Sequence, residues 1–335
     1  MIYRLIARRL VALVPVLLGV TLITFFLSHV VPSDPARLYA GPRASPEALA
    51  NVRHQFGLDK PLAAQFVNFV GNLLHGDFGP SLSSHRAVSA DLADFLPATI
   101  ELTLMAIAFI LVIGVPLGVV SAAWEGSIFD HLGRVVSITG SAIPPFWLGL
   151  MAQFFFFDQL GWFPAGGRLD QNTAPPPHIT GLYTVDSILT GHLGLLVQSI
   201  WYLLLPAIVL GYGSLAVITR MVRASMLESL GQDYVRTARA KGLRRRRVVV
   251  QHALRNALLP TITVMGLQVG ALLSGALLIE EVFSWPGIGR YGTDATLAID
   301  YNAIMAITLI AALIYVLVNL LVDILYLVVD PRVAY

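Results

Sequence analysis

Residues 232–260 read QDYVRTARAKGLRRRRVVVQHALRNALLP. The stretch is basic and helical in pattern, and it lies between two long apolar runs. Asp233 stands at its start, where an acid complements the positive end of a helix dipole. On that helix Tyr234, Val235 and Ala238 share one face, and Arg236 and Arg239 lie on another. Gly242, just after Lys241, is a helix stop, because glycine takes the left-handed cap conformation cheaply. A second helix is expected over residues 244–259, opening on Arg244, Arg245, Arg246 and Arg247. Four arginines there oppose the dipole. Propensity does not explain them, whereas anionic lipid or positive-inside anchoring does. Three readings compete. A docking helix would offer the Tyr234/Val235/Ala238 face to a soluble partner. A basic interfacial helix would only hold to lipid. A plain loop would need no pattern.

Outward from this segment the chain is apolar. Hydrophobic residues make up 56% of the 335 and charged residues 13%, with a mean hydropathy of +0.73. A soluble domain could not cover its surface with so few charges. Six stretches reach the roughly 20 apolar residues that cross a bilayer: 10–31, 98–123, 135–157, 193–218, 258–279 and 303–329. The first is read as a retained anchor, because it is long and lacks a small-x-small cleavage site. Pro116, Pro144, Pro145 and Pro206 interrupt spans and are expected to bend them. Gly114 and Gly118, and Gly266, Gly270 and Ser274, recur at four-residue spacing and suit close helix packing.

With the N-terminus inside, the cytoplasmic segments carry 15 of the 22 Lys and Arg residues and the outside carries 7. The positive-inside rule therefore puts residues 232–260 and both termini in the cytoplasm. The expected organisation is a tail and first span (1–31), an extracytoplasmic helical cap (32–97) and a core (98–335) with a cytoplasmic loop at 223–257. Within the cap, Ser45 is a plausible N-cap for a helix over 46–56, and a second helix is expected over 61–74. The segment 158–192, with Gly166, Gly167 and a Pro175–Pro176–Pro177 run, reads as irregular, either a lid or a surface for another extracytoplasmic protein.

No enzyme signature is present. The chain has no phosphate-loop motif, no H-E-x-x-H and no G-x-S-x-G. It has no Cys, which excludes thiol chemistry. No cofactor or metal is expected in the chain. Polar side chains inside spans are costly unless they face protein or water, which singles out Gln153, Gln198, Gln268 and Ser274 as lining a path. Hydrogen bonds between helices are the plainer reading of each. Glu280 and Glu281 fall at the outer mouth, where surface solvation serves equally well. No matched pair of buried charges shows in the spans.

The run DYVRTARAKG at 233–242, followed by HALRNALLP at 252–260, resembles the cytoplasmic loop of binding-protein-dependent ABC importer permeases. The family's usual Glu-Ala-Ala opening is replaced here by Arg236–Thr237–Ala238, and Gly242 lies further from Pro260 than in sugar-type permeases. Both departures point to the peptide/nickel branch, and to its dipeptide permease group. PSDP (32–35), FGLDKP (56–61), GDFG (76–79), GSIFDH (126–131), FSWPGIG (283–289), NLLVD (319–323) and DPR (330–332) carry the likeness along almost the whole chain.

The resemblance implies an all-α polytopic membrane protein with six transmembrane helices, the type I ABC importer permease fold and a small helical extracytoplasmic cap between spans 1 and 2. It implies that Asp233, Tyr234, Val235, Arg236, Thr237, Ala238, Arg239, Ala240, Lys241 and Gly242 form an ATPase-coupling helix. The implied partners are a second homologous permease, two ATP-binding subunits that hold ATP and Mg, and an extracytoplasmic substrate-binding protein. The implied location is the cell inner membrane, and the implied cargo is di- or oligopeptides. Nickel, glutathione, an opine, haem or an oligosaccharide is the alternative within the branch. A stand-alone secondary transporter is the alternative outside it.

Overall fold

The computed structural model describes residues 2–30, 35–41, 43–55 and 57–329. Residues 32–34, Phe56 and residues 330–335, which carry part of the resemblance and the expected C-terminus, lie outside the described residues. Among the described residues the regular structure is helical, apart from one bridge between Pro80 and Ala87. The helices are α1 (Ile2–Val30), α2 (Pro35–Ala40), α3 (Pro46–Gln55) and α4 (Leu62–Leu74). They continue as α5 (Val88–Ala123), α6 (Ile128–Ala142), α7 (Pro145–Gln159), α8 (Tyr183–Leu189), α9 (Leu193–Leu230) and α10 (Asp233–Ala240). The last are α11 (Arg245–Val282), α12 (Ile288–Leu297) and α13 (Tyr301–Val329).

Among the described residues α5, α9, α11 and α13 are each long and apolar enough to cross a membrane, and the pair α6–α7 is a fifth candidate. The remaining expected span falls on α1, whose described apolar stretch is Val11–Phe26. The chain is thus an all-α polytopic membrane protein. One expected span is not a single rod. Residues 135–157 straddle α6 and α7, which meet at 108°. Pro144 is extended at φ −62°, ψ 133°, and two successive prolines supply no amide hydrogens to carry the helix across. By contrast α9 passes Pro206 unbroken over 38 residues. Ahead of Pro116, α5 widens into a π-helical turn over Ile110–Gly114, where the Thr219 hydroxyl donates to the Gly114 carbonyl at 3.2 Å. A neighbour's hydroxyl on such a carbonyl is what lets a bilayer-embedded helix tolerate an irregular turn.

The chain divides into two compact units. One comprises Ala98–Pro286 and, among the described residues, 317–329. Its core includes Leu102, Ile110, Leu215, Ile218, Met226, Leu272 and Ile279 from α5, α9 and α11. Small residues set its helix spacing. A Cβ on Gly118 would lie 2.8 Å from the Thr219 carbonyl oxygen and from the Val222 Cβ. One on Gly140 would lie 2.6 Å from the Ala216 Cβ. Without a hydrophobic drive between helices in lipid, such backbone approach and interhelical hydrogen bonds hold a bundle together.

The other unit comprises Ile2–Pro97 and Gly287–Val316. Val88, Leu92, Ile288, Tyr291, Ala303 and Ala306 form its larger core. Asp300, wholly buried, accepts hydrogen bonds from the Ser81 hydroxyl at 2.5 Å and from the Ser83 amide and hydroxyl at 3.1 Å. Asp91 accepts from the Ser84 hydroxyl at 2.6 Å and the Tyr291 hydroxyl at 3.1 Å. Those bonds offset carboxylate burial. In α3 the Ala48 amide donates to Ser45 Oγ at 3.2 Å, the cap that the sequence leads one to expect.

Gly118→Leu should force α5 off α9 and cost about 1–3 kcal/mol, as overpacking does. Gly194→Ala, where a Cβ would meet nothing within 4 Å, should be neutral. Melting of the two detergent-solubilised variants checks the pair.

Candidate functional site

Helix α10 is built by local signals. Gln232 enters extended at φ −76°, ψ 155°. The Asp233 carboxylate faces Arg236 one turn on, at 3.4 Å. Gly242 adopts φ +76°. There the Gly242 amide donates to the Arg239 carbonyl at 2.9 Å and the Leu243 amide to the Ala238 carbonyl at 3.3 Å. This paired closure is the Schellman arrangement, and the left-handed residue it needs is the one a glycine fills without strain.

The helix presents a different face from the one expected. Val235 and Ala238 are buried with Val248, against Leu230 and Leu243. They seat α10 on its own chain and cannot also meet a partner. Tyr234 belongs with the exposed set, which includes Asp233, Arg236, Thr237, Arg239, Ala240, Lys241 and Gly242. The reason is the hydrophobic contact between the residue after the glycine, Leu243, and the last turn of the helix, which turns the small apolar side inward. The plain-loop reading is thereby set aside. The second expected helix, 244–259, is not separate. It is the start of α11, which runs on through Pro260 to Val282 and widens into a π-helical turn at Val248–Ala253.

Two of the four arginines have definite partners. Arg245 donates to the Ala123 carbonyl and lies over the Trp124 ring at 5.0 Å. Arg247 donates to Gln251 at 2.8 Å. Beside α10, Trp124, Glu125, Ser127, Leu230, Arg239 and Arg245 line an open groove of about 530 Å³. At the same end of this unit Asp130 is wholly buried. It accepts from Arg223 Nε at 2.6 Å, an Arg134 nitrogen at 2.7 Å and the Gly126 amide at 3.0 Å.

The polar span residues separate into two groups. Gln153 donates to the Ala165 carbonyl at 2.7 Å and the Val282 carbonyl at 2.9 Å, so its amide fastens a loop to a helix end. Ser274 donates back to Gly270 at 3.2 Å on its own helix. Gln198 and Gln268 are half-buried on α9 and α11. Glu280 is not available at a mouth: it is 0% exposed and accepts from the Thr99 hydroxyl at 2.5 Å. Glu281 is exposed.

The expected absence of matched buried charges is corrected by Arg168 and Glu101. Both are buried, with 2.6 Å between guanidinium and carboxylate. Arg168 also donates to the Gly181 carbonyl at 2.9 Å and covers the Tyr183 ring at 3.5 Å. Glu101 accepts from the Thr184 amide at 2.7 Å and hydroxyl at 2.6 Å. The segment between α7 and α9 is therefore strapped to α5. A further clasp is made by the backbone. The Gly167 amide donates to the Phe283 carbonyl at 2.9 Å, and a Cβ on Gly166 would fall 2.0 Å from that same oxygen. The Trp285 indole N–H donates to the Ala98 carbonyl at 2.9 Å. The signal missed in the sequence is the acid at position 101, a few residues inside an expected span, where it requires a partner.

Residues 114–335 match the binding-protein-dependent transport system inner membrane component family, and residues 1–103 match its N-terminal component. The chain belongs to this family. It is 46% identical, over 99% of its own length and 97% of the relative's, to the probable D,D-dipeptide transport system permease protein DdpB of Escherichia coli (strain K12). It is 47% identical to the di/tripeptide transport system permease protein DppB of Pseudomonas aeruginosa (strain UCBPP-PA14), over 98% of both chains. The glutathione transport system permease protein GsiC of Salmonella typhimurium (strain LT2) is 38% identical over 98% of both chains. The α10 segment and the strapped segment lie at opposite ends of the same unit.

Glu101→Ala leaves Arg168 buried without its counter-charge and should cost about 3–5 kcal/mol, read as a lower melting temperature and faster proteolysis of the α7–α9 segment. Asp186 in that segment carries a pH signature. Burial pushes its carboxyl up, but hydrogen bonds from Thr180, Ile179 and Gly181 outweigh burial and hold it below the usual carboxylate range. A lowered folded value means that its stabilisation is full above about pH 4, the ordinary carboxylate value, and is lost as pH falls through the lowered value. Proteolytic protection of the segment should thus persist at pH 4 and fail only in stronger acid. Asp186→Asn should remove that pH dependence.

Proposed function

We propose that this chain is the permease subunit of an ATP-driven, binding-protein-dependent importer for di- and oligopeptides, and that it forms half of the translocation pathway. The observation that carries the reading is full-length similarity to peptide-system permeases, joined to a short amphipathic helix fixed by its buried side. Helix α10 shows Tyr234, Arg236, Thr237 and Arg239 outward while Val235 and Ala238 anchor it. A rigidly mounted helix with a polar, basic outer face suits reception of force from a soluble subunit. The α10 end is read as cytoplasmic, with both chain termini on that side, on the distribution of Lys and Arg. The other components are a second homologous permease, two ATPases that hold ATP and Mg, and an extracytoplasmic binding protein. ATP binding on the ATPases would bias the two facings of the pathway through differential contact with α10.

The test is affinity capture of the tagged chain from native membranes in mild detergent, followed by uptake of a labelled dipeptide in liposomes. The expected result is co-recovery of a second permease and ATPases, with uptake that requires ATP. Recovery of the chain alone, active in uptake without ATP, would overturn the reading. Gly242→Val places a branched side chain in the left-handed region, costing about 1–2 kcal/mol locally, while open space surrounds the position. The variant should insert normally yet lose most ATP-dependent uptake. Unchanged uptake would count against α10 as the coupling helix.

A further inference from the structure

We infer that the Asp130–Arg223 pair is the tie that carries displacement of α10 into the broken span α6–α7. The inference rests on the transporter reading above. Helix α9 ends at Leu230, and α10 begins at Asp233, so movement of α10 acts first on the last turns of α9. Arg223 sits two turns before that end. Its Nε and one terminal nitrogen reach the two carboxylate oxygens of Asp130 at 2.6 and 3.1 Å. Asp130 lies in the first turn of α6 and is wholly buried. The Gly126 amide, from the short turn after α5, donates to the same carboxylate at 3.0 Å. One side chain thus joins α9, α6 and the α5–α6 turn at the α10 end of the bundle.

Above the tie glycines bring the three helices close together. Gly118 of α5 meets Thr219 and Val222 of α9, Gly133 of α6 meets Ser121 of α5, and Gly140 of α6 meets Ala216 of α9. The Thr139 and Tyr212 hydroxyls are 2.6 Å apart beyond them. Close-packed interiors transmit strain rather than absorb it. A pull on α9 is therefore handed to α6, and the compliant point it reaches is the 108° corner before α7. Arg223 and Asp130 are positioning residues in this scheme. A two-pronged guanidinium suits the role, since it fixes direction as well as distance. Arg134 touches the same carboxylate from its own helix, one turn on, with its side chain half exposed, and so joins nothing to anything.

The experiment compares assembled complexes in liposomes, reading ATP hydrolysis and dipeptide uptake side by side. Arg223→Ala should co-purify with its ATPases and still hydrolyse ATP. Peptide imported per ATP should fall about tenfold, in the range of a typical coupling free energy. Arg223→Lys, which cannot offer two prongs, should fall less, and Arg134→Ala should match the wild type. An unchanged ratio in Arg223→Ala would overturn the inference. An equal fall in Arg134→Ala would do the same, because the cluster would then only neutralise a buried acid. If Arg223→Ala does not assemble, Arg223→Lys decides, and a wild-type ratio there overturns the tie. A wild-type complex without ATP-dependent uptake would sink the transporter reading, and this inference with it.

Discussion

Where α5 crosses α9, the hydrogen atom that is the side chain of Gly118 faces the Thr219 carbonyl and the Val222 Cβ at distances no larger side chain could occupy. In a bilayer, lipid tails are as apolar as the helices themselves, so separation costs little hydrophobic free energy. What remains is van der Waals contact, hydrogen bonds between helices and the penalty for an unpaired polar group. The close crossings at Gly118, Gly133 and Gly140 supply the first. They also bring the Thr219 hydroxyl within reach of Gly114, at the turn where α5 departs from regular geometry.

Carboxylate pairing follows from the same constraint. Within the unit that holds α10, Asp130 and Glu101 are both buried and lie at opposite ends of the helix cluster. Each takes a guanidinium and further donors. A buried charge with one partner removed is more costly than no pair at all. These sites therefore specify particular arrangements of α5, α6, α9 and the α7–α9 segment over many alternative packings. Their neighbourhoods differ in kind. Glu101 holds a connecting segment against a helix, whereas Asp130 joins helices beside α10.

Helix α10 shows how a short element is made stiff. Eight residues are too few to be stable alone in water. The turn closed by Gly242, the Leu243 contact and the seating of Val235 on Val248 supply what helix propensity cannot. The basic run at Arg244–Arg247, which opposes the helix dipole, is partly accounted for by Arg245, whose guanidinium serves the terminal carbonyl of α5 and the face of Trp124.

Membrane class, the approximate positions of the spans from α5 onward, the ends of α10 and the family were all legible in the amino-acid sequence. Each rests on local information: runs of apolar residues, an acid at a helix start, a glycine at a helix stop and motif order. Helical period revealed which residues of α10 share a face but not which face is covered, because coverage comes from Val248 and Leu243 beyond the helix. The pairing of Arg168 with Glu101 across 67 positions and of Arg223 with Asp130 across 93 was decided by tertiary structure alone. So were the burial of Glu280 against Thr99 and the attachment of Gln153 to two carbonyls. A polar residue in an apolar run announces that it needs a partner. Only the packing of helices distant in sequence determines which partner it meets.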